Sequence, residues 1–201
     1  ALGHWLAYYD DGEYAELVSD PDRDIHYHNA CLFGIHERGK EIPKLTRDLS
    51  KRLIYCVLYG GGAKKTGSII APKESEHKQY EKGKQTIDTF YQNLPAIKQL
   101  KDKVEATLNQ RDYLIGIDGR RLQIRSKHSA LNQLLQSTGA ISVKKATTIL
   151  YNDMTNKGLK FYKDWGFVAH VHDEYQCLLR PQYTNLFKDL AIDSFRKSGE
   201  Y

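Results

Sequence analysis

The sequence predicts an α+β fold in which helices dominate. Apolar residues recur at helical spacing over several long segments, and two pairs of short apolar runs each flank a polar turn. No internal repeat or low-complexity linker divides the 201 residues. Hydrophobic residues make up 40% of the chain and charged residues 27%, which is typical of a globular protein with a buried core. We therefore expect one continuous unit of ordinary domain size.

Capping signals and glycines define the elements of the first half. A mixed, turn-containing region extends to about Pro43. A helix from about Thr46 to Tyr59 then ends at three consecutive glycines, where left-handed capping residues are expected. A charged helix is predicted over 74–91, and a proline opens the next helix, over 95–109.

The second half alternates hairpins with helices. The segment YLIGIDGRRLQIR has two short runs on either side of Asp118 and Gly119, which predicts a β-hairpin. A long helix follows from about Ser129 to Met154, and a second hairpin is predicted in VAHVHDEYQCLL. A last helix is predicted from about Thr184 to Phe195.

Composition argues against several classes of protein. No apolar run approaches the roughly 18 residues of a membrane-spanning helix, so no membrane partner is expected. Cys31, Cys56 and Cys177 are widely spaced and form no CxxC pair, so neither a disulfide framework nor a thiolate zinc site is predicted. We expect a reducing, cytoplasmic compartment, which for a viral protein is the host cytoplasm. The net charge of +5 is too small to establish a nucleic-acid partner by itself.

Four residues of the helix after Pro43 form a polar and aromatic stripe. Arg47, Lys51, Tyr55 and Tyr59 are spaced by four, so their side chains share one helical face. Each step of four climbs about 6 Å, which suits a triphosphate beside the cations and a base beside the rings. The alternative is an ordinary amphipathic helix with two solvated cations and two half-buried tyrosines. The opposite face carries apolar residues that can pack on the core, namely Leu49, Leu53 and Val57.

Several motifs, taken in order, resemble those of family A DNA polymerases. The stripe followed by Gly60 resembles motif B, the fingers helix of the family, and VHDE over 171–174 resembles motif C. Between them, GIDGRRLQIRSKHSALNQLLQSTGA is similar to the DGR hairpin and the following helix in podophage replicative polymerases. The segments DDGEYAE and DIHYHNA also match in order, so the similarity covers almost the whole chain.

The resemblance implies the architecture of a right-hand polymerase. The chain would contain mostly helical fingers and part of the antiparallel palm sheet. We expect a palm-to-fingers segment over 1–43, the fingers with motif B over 44–110, and a palm segment with motif C over 111–201.

The resemblance also implies a nucleotide site and a metal site. Asp173 would bind the catalytic Mg²⁺ ions, with Glu174 as a second acidic ligand, because hard oxygen ligands suit Mg²⁺. The alternative for these two residues is a polar turn. Lys51 would contact the triphosphate and donate a proton to pyrophosphate. The implied nucleotide-binding residues are His26, Arg47, Lys51, Tyr55 and Tyr59.

The resemblance also implies a group of DNA-binding residues. His128, Asn132 and Gln136 are spaced by four, and the resemblance implies that the amides face the minor groove of the new duplex. Arg121 and Arg125 alternate with apolar residues and would follow a phosphate backbone. His172 would lie near the primer end. The alternatives are helix-surface amides and a solvated strand face.

A rival interpretation is a zinc site formed by histidines and a cysteine of the first 40 residues. These candidates are His26, His28, Cys31 and His36. Their spacings fit no common zinc pattern, so the phosphate role of His26 is preferred.

One departure from the family pattern is important. Motif A, with its metal-binding aspartate, is absent from the 201 residues, so one principal ligand of the two Mg²⁺ ions is missing. We expect a fragment that is inactive alone. The expected partners are primer-template DNA, deoxynucleoside triphosphates, and polymerase segments upstream and downstream. The alternative function is a noncatalytic DNA- or nucleotide-binding module.

Overall fold

The computed structural model of the protein describes residues 1–171 and 174–200. Within these residues the chain is mostly helical, with two antiparallel hairpins, which confirms the α+β class. The elements in chain order are α1 Leu2–Asp10, α2 Glu13–Ser19, α3 Ile25–Leu32, α4 Lys44–Leu58, α5 Ala63–Ile70, α6 Glu76–Asn93, α7 Pro95–Gln110, β1 Tyr113–Ile115, β2 Arg121–Gln123, α8 Ala130–Asn156, β3 Trp165–Val171, β4 Glu174–Leu179 and α9 Thr184–Ser198.

The chain divides into two compact units. The first unit contains residues 1–115 and 121–135, and the second contains 116–120 and the residues from 136 onward. Each unit has its own cluster of buried apolar side chains. Among the described residues, no helix combines the length and apolarity that a membrane crossing requires.

The first unit is built around side chains of α1, α3, α4, α6 and α7. Phe33 and Phe90 stack at its centre, with ring centroids 4.2 Å apart. Leu53 and Val57 of α4 are buried in the same cluster, as the sequence predicted for this face of the helix. Because burial is confined to one side of α4, its opposite side remains exposed for polar residues.

Helix α5 was not predicted from the sequence. It is only eight residues long and contains Gly67, which disfavours a helix interior. A Cβ atom on Gly67 would lie 1.7 Å from the Gln79 carbonyl oxygen of α6. Similarly, a Cβ atom on Gly83 would lie 1.9 Å from the Ala63 carbonyl oxygen. Two glycines therefore allow the backbones of α5 and α6 to approach closely, and tertiary packing stabilises the short helix.

The second unit packs the β3–β4 hairpin against helices. Trp165 of β3 is buried together with Leu150 and Met154 of α8. The two strands are antiparallel, with Trp165 opposite Leu179 at one end and Val171 opposite Glu174 at the other. A register shift between Phe167 and Ala169 interrupts the ladder.

The remaining elements agree with their predicted positions within a few residues, with one correction. The region before Pro43, predicted to be mixed, contains the three helices α1 to α3. These helices are seven to nine residues long and are separated by turns, which weakens the periodic signal. The predicted helix starting at Ser129 begins at Ala130, after a one-turn 3₁₀ helix over Lys127–Ser129.

Candidate functional site

The stripe of α4 is exposed along its whole length. Arg47, Lys51, Tyr55 and Tyr59 are all exposed, whereas the intervening Ser50 is fully buried. Tyr55 and Tyr59 are 46% and 52% exposed, and their ring centroids lie 5.9 Å apart. Two aromatic rings of this size, half open to solvent, offer a surface on which a sugar or base can pack.

The end of α4 is fixed by a Schellman motif. Gly60 has a φ of 81°, its N–H donates to the Val57 carbonyl over 3.1 Å, and the Gly61 N–H donates to the Cys56 carbonyl over 2.7 Å. A Cβ atom on Gly60 would lie 2.2 Å from the carbonyl oxygen of His128. The backbone of α4 therefore passes directly against the 3₁₀ turn that carries His128, which brings this predicted DNA-binding residue to the end of the stripe.

The beginning of the stripe is held by an ion pair. Arg47 Nε donates to Asp24 Oδ2 over 2.7 Å. Asp24 is the N-cap of α3 and also accepts the backbone N–H of His26 over 2.9 Å. Partial burial opposes ionisation of Asp24, but the hydrogen bonds from Arg47 and the His26 backbone outweigh it and lower the pKa of this carboxyl. One ionised carboxylate thus joins α3 to α4.

His26 lies next to the cations of the stripe. Burial lowers the pKa of His26, and the positive charges of Arg47 and Lys51 lower it further, although Asp24 acts in the opposite direction. The Nδ1 atom of His26 is buried and has no hydrogen-bond partner. The Ser50 hydroxyl donates to the His26 carbonyl over 2.7 Å, which ties this residue to α4. The structure therefore brings three of the predicted nucleotide-binding residues together, namely His26, Arg47 and Lys51.

A cavity of about 510 Å³ opens beside the C-terminal end of α4. Polar and charged residues at its rim include Lys101, Asn109, Lys127 and His128, with Gly60 at one side. Lys127 Nζ donates to Asn109 Oδ1 over 2.8 Å. Apolar side chains, including Val57 and Leu131, line the rest of the cavity, so it is a mixed polar and apolar space at the C-terminal end of the stripe.

The predicted phosphate-contacting residues lie on the first hairpin or just after it. Arg121 and Arg125 are exposed, while the alternating Leu122 and Ile124 are partly buried against the core. The Arg121 guanidinium carbon lies 4.8 Å from the centroid of the Tyr113 ring. The predicted alternation of the strand is therefore present.

The predicted minor-groove residues are placed on two elements. His128 lies in the 3₁₀ turn and not in the helix, so the helical stripe of amides contains Asn132 and Gln136 of α8. Asn132 is half-buried and Gln136 is exposed. Ser126 begins the 3₁₀ turn in an extended conformation, and the turn delays the start of α8.

The structure describes only part of the predicted metal site. Glu174 is exposed at the start of β4, and its Oε1 accepts a hydrogen bond from Gln176 Nε2 over 3.4 Å. His172 and Asp173 lie outside the described residues. Within the described ranges, no three His, Cys, Asp or Glu side chains are grouped so that they could hold a metal ion. The four candidate zinc ligands are all in these ranges, and His36 Nε2 instead lies 3.0 Å from the Lys40 carbonyl oxygen.

Two residues of the site were missed by sequence reasoning. Asp24 and Ser50 connect α3 to the stripe through their side chains. The acidic residue directly before the helix IHYHNACL is a recognisable N-cap signal, but its pairing with a residue 23 positions away has no local signature.

Comparison with known proteins gives consistent matches. The sequence model of DNA polymerase family A matches residues 8–199. The chain is 35% identical over 217 residues to the DNA-directed DNA polymerase of Escherichia phage T7, and 33% identical over 217 residues to that of Enterobacteria phage T3. Each of these alignments covers 100% of this chain and 28% of the relative, so the chain spans less than a third of their length.

A solved structure has the same fold. The POL domain of Pol1 from M. smegmatis, in complex with DNA primer-template and dNTP, superimposes with a TM-score of 0.73 at 18% identity. The superposition covers 88% of this chain and 31% of the other. At this identity the likeness concerns the fold alone.

Proposed function

This chain belongs to DNA polymerase family A, and from that premise we propose that it supplies the nucleotide-binding helix and one catalytic hairpin of a template-directed DNA polymerase. The reaction would be transfer of a nucleotide to a primer 3′-hydroxyl. The observation that carries the proposal is the grouping of His26, Arg47 and Lys51 at one end of a stripe whose other end is aromatic.

The stripe would bind a nucleoside triphosphate. The guanidinium of Arg47 would bind the γ-phosphate side, and His26 would donate to a phosphate oxygen through its Nε2. Lys51, one turn further along α4, would contact the triphosphate and donate a proton to the leaving pyrophosphate. Tyr55 would pack near the incoming sugar and base, and Tyr59 near the template-side pocket when the fingers close.

The metal-dependent part of the proposal rests on Asp173 and Glu174. Two Mg²⁺ ions, when bound, would activate the primer hydroxyl and stabilise the leaving group. Of these two predicted ligands, only Glu174 is among the residues that the structure describes. A single exposed carboxylate cannot by itself hold two metal ions. The motif A aspartate is absent from these 201 residues. We therefore propose that the isolated chain does not extend a primer.

The proposed partner of the second group of residues is primer-template DNA. Arg121 and Arg125 would contact phosphates, and His172 would lie near the primer end. The amides of Asn132 and Gln136 would meet acceptors that every correct base pair presents in the minor groove, with His128 nearby. The partners named for the M. smegmatis structure support this kind of ligand. We propose the cytoplasm, of the host for a viral protein, as the compartment.

Primer extension tests the proposal. A longer polymerase that contains these residues, with Lys51→Ala, should extend a primer at a rate lower by a factor on the order of 10². Lys84→Ala is the matched control, because Lys84 is an exposed lysine of α6 outside the stripe. Equal rates for the Lys51→Ala variant and the control would contradict the proposal. Nucleotide binding without any extension by the longer protein would favour the noncatalytic alternative.

A further inference from the structure

A cleft lies between α1, α7 and β1 of the first unit, on residues that the proposed polymerase chemistry does not use. Its volume is about 350 Å³. The floor is aliphatic and aromatic, and includes Trp5, Leu100, Val104 and Leu114. A cavity of this size and lining accepts one large apolar side chain.

The rim of the cleft is positively charged. Lys103 and Arg111 both line it, and none of the described residues in its lining is acidic. Other lysines of α7 are neutralised: Lys98 Nζ lies 2.6 Å from Asp102 Oδ2, and Lys101 Nζ lies 3.8 Å from Glu105 Oε1. Within residues 1–171 and 174–200, neither Lys103 nor Arg111 has a carboxylate partner. The rim therefore carries two uncompensated cations, whose positions in the chain correspond to a rise of about 12 Å along the axis of α7.

Arg111 is oriented by an aromatic contact instead of an ion pair. Its guanidinium carbon lies 4.6 Å from the centroid of the Tyr113 ring, and that of Arg121 lies 4.8 Å from the same centroid. A cation–π contact restricts the side chain while leaving its N–H donors free for an anion. Arg111 is thus held in place while its N–H groups remain available to bind an anion.

Large apolar side chains are exposed beside these cations. Tyr8 of α1 is 89% exposed and Ile115 of β1 is 39% exposed, and both line the cleft. Aromatic and aliphatic residues next to a concave apolar surface are typical of the centre of a protein–protein contact. Arginine is also enriched at such contacts.

We propose that this cleft docks an acidic peptide segment of a partner protein. One aromatic or aliphatic side chain of the segment would enter the cleft, and carboxylates on either side would pair with Lys103 and Arg111. An apolar pocket flanked by two unpaired cations, with no acidic residue in the described lining, is complementary to this chemistry. The contact is small, so a weak and transient complex is expected.

A single strand of nucleic acid fits the cleft less well. Such strands bind along a continuous basic groove in which open aromatic faces stack on successive bases. Here aromatic rings alternate with aliphatic side chains in the lining, and the two cations are separated and form no continuous groove. The Tyr113 ring, which lies outside the lining, is already contacted by two guanidinium groups. A peptide with one apolar anchor and a carboxylate on either side of it matches the separation of Lys103 and Arg111 better than a nucleic-acid strand does.

The test uses a fluorescent twelve-residue peptide of Asp, Glu and Gly with one central Phe, titrated with the chain at 0.15 M salt. Changing Phe to Ser in the peptide should weaken binding about tenfold, because the apolar anchor is lost. Replacing the acidic residues by Lys should abolish binding. A twelve-residue oligothymidylate serves as the nucleic-acid probe.

Charge-reversal variants locate the binding site. Lys103→Glu alone and Lys103→Glu with Arg111→Glu should lower peptide affinity by a factor on the order of 10 and 10², respectively. The control, Lys84→Glu on α6, should leave the affinity within about twofold. Since Lys103 is exposed and unpaired, its reversal should leave the circular dichroism and thermal melting of the chain unchanged.

Four outcomes overturn the inference. If neither charge reversal changes the peptide affinity, the peptide does not bind at this cleft. If the oligothymidylate binds and the peptide does not, the surface is a nucleic-acid site. Self-association of the chain that Lys103→Glu abolishes identifies a second copy as the occupant. Loss of peptide binding in a longer polymerase containing these residues shows that another polymerase segment covers the cleft. Because none of these readouts involves extension, they are independent of the proposed function.

Discussion

Arg47 Nε lies 2.7 Å from Asp24 Oδ2, and the same aspartate side chain caps α3 by accepting the His26 N–H over 2.9 Å. A single carboxylate therefore sets the position of two proposed phosphate-binding groups. Its pairing with Nε leaves the two terminal nitrogens of Arg47 free for a ligand. The Ser50 hydroxyl adds a second connection between α3 and α4, through the His26 carbonyl.

Two substitutions of Asp24 separate its capping role from its ion pair. Asp24→Ala removes both interactions and should destabilise α3 by about 1 kcal/mol through loss of the cap. Asp24→Ser retains a side-chain acceptor for the His26 N–H but is too short to reach Arg47, so α3 should keep most of its stability. Hydrogen exchange of the α3 amides measures the difference. Equal protection in both variants would contradict a capping role.

Helix α4 shows how much of this site is encoded locally. Its apolar spacing and terminal glycines predict its bounds within two residues and identify the exposed stripe. The Asp24–Arg47 pair is different, because its partners are separated by 23 positions and meet only after α3 packs on α4. Helix α5 was missed for the same kind of reason, since its stability comes from close backbone approach to α6 at Gly67.

Two histidines make the stability of the first unit dependent on pH. Burial, followed by nearby arginine charges, lowers the pKa of His26 and of His28 below the ordinary value of 6.5. The unfolded chain therefore binds more protons in the window just below pH 6.5, and protonation favours unfolding. Stability should be full above about pH 6.5 and fall as the pH is lowered through that window.

Thermal melting between pH 7.5 and about 5 measures this dependence. His26→Gln should reduce the slope of melting temperature against pH, because one of the two groups no longer titrates. The control is His77→Gln, since the His77 side chain is 81% exposed on α6. A slope that is the same in all three proteins would mean that His26 titrates alike in the folded and unfolded chain.

Gly60 should tolerate no side chain. Its φ of 81° already disfavours an L residue, and a Cβ atom would lie 2.2 Å from the His128 carbonyl oxygen. Gly60→Ala should cost about 3 kcal/mol or more, from left-handed strain of about 1–2 and overpacking of about 1–3. Gly39 also has a positive φ, of 80°, but has no atom within 4 Å of an added Cβ. Gly39→Ala should therefore cost about 1–2 kcal/mol.

Urea denaturation of the two glycine variants gives the comparison. The difference between them isolates the clash from the backbone strain, because both residues share the same left-handed conformation. Similar losses at Gly60 and Gly39 would show that the His128 turn moves away freely.

Tyr55 is expected to control discrimination between dideoxy- and deoxynucleotides in the complete polymerase. The resemblance to family A implies that a tyrosine at this position accepts dideoxynucleotides nearly as well as normal substrates. A phenol hydroxyl beside the sugar can fill the space and the hydrogen-bonding role of a missing 3′-hydroxyl, so the analogue leaves less polar surface unsatisfied. Its 46% exposure on the stripe leaves the ring accessible to a sugar.

Removal of that one hydroxyl should restore discrimination. Tyr55→Phe should lower dideoxynucleotide incorporation by a factor on the order of 10², roughly 3 kcal/mol, with little change in normal incorporation. Competition between the two nucleotides on one primed template measures the ratio, and Tyr80→Phe on α6 is the control, because Tyr80 is 51% exposed but lies outside the stripe. An unchanged ratio for Tyr55→Phe would mean that this ring does not face the sugar. The roles proposed for Arg47 and Lys51 would then need a different register, since all three side chains share one face of α4.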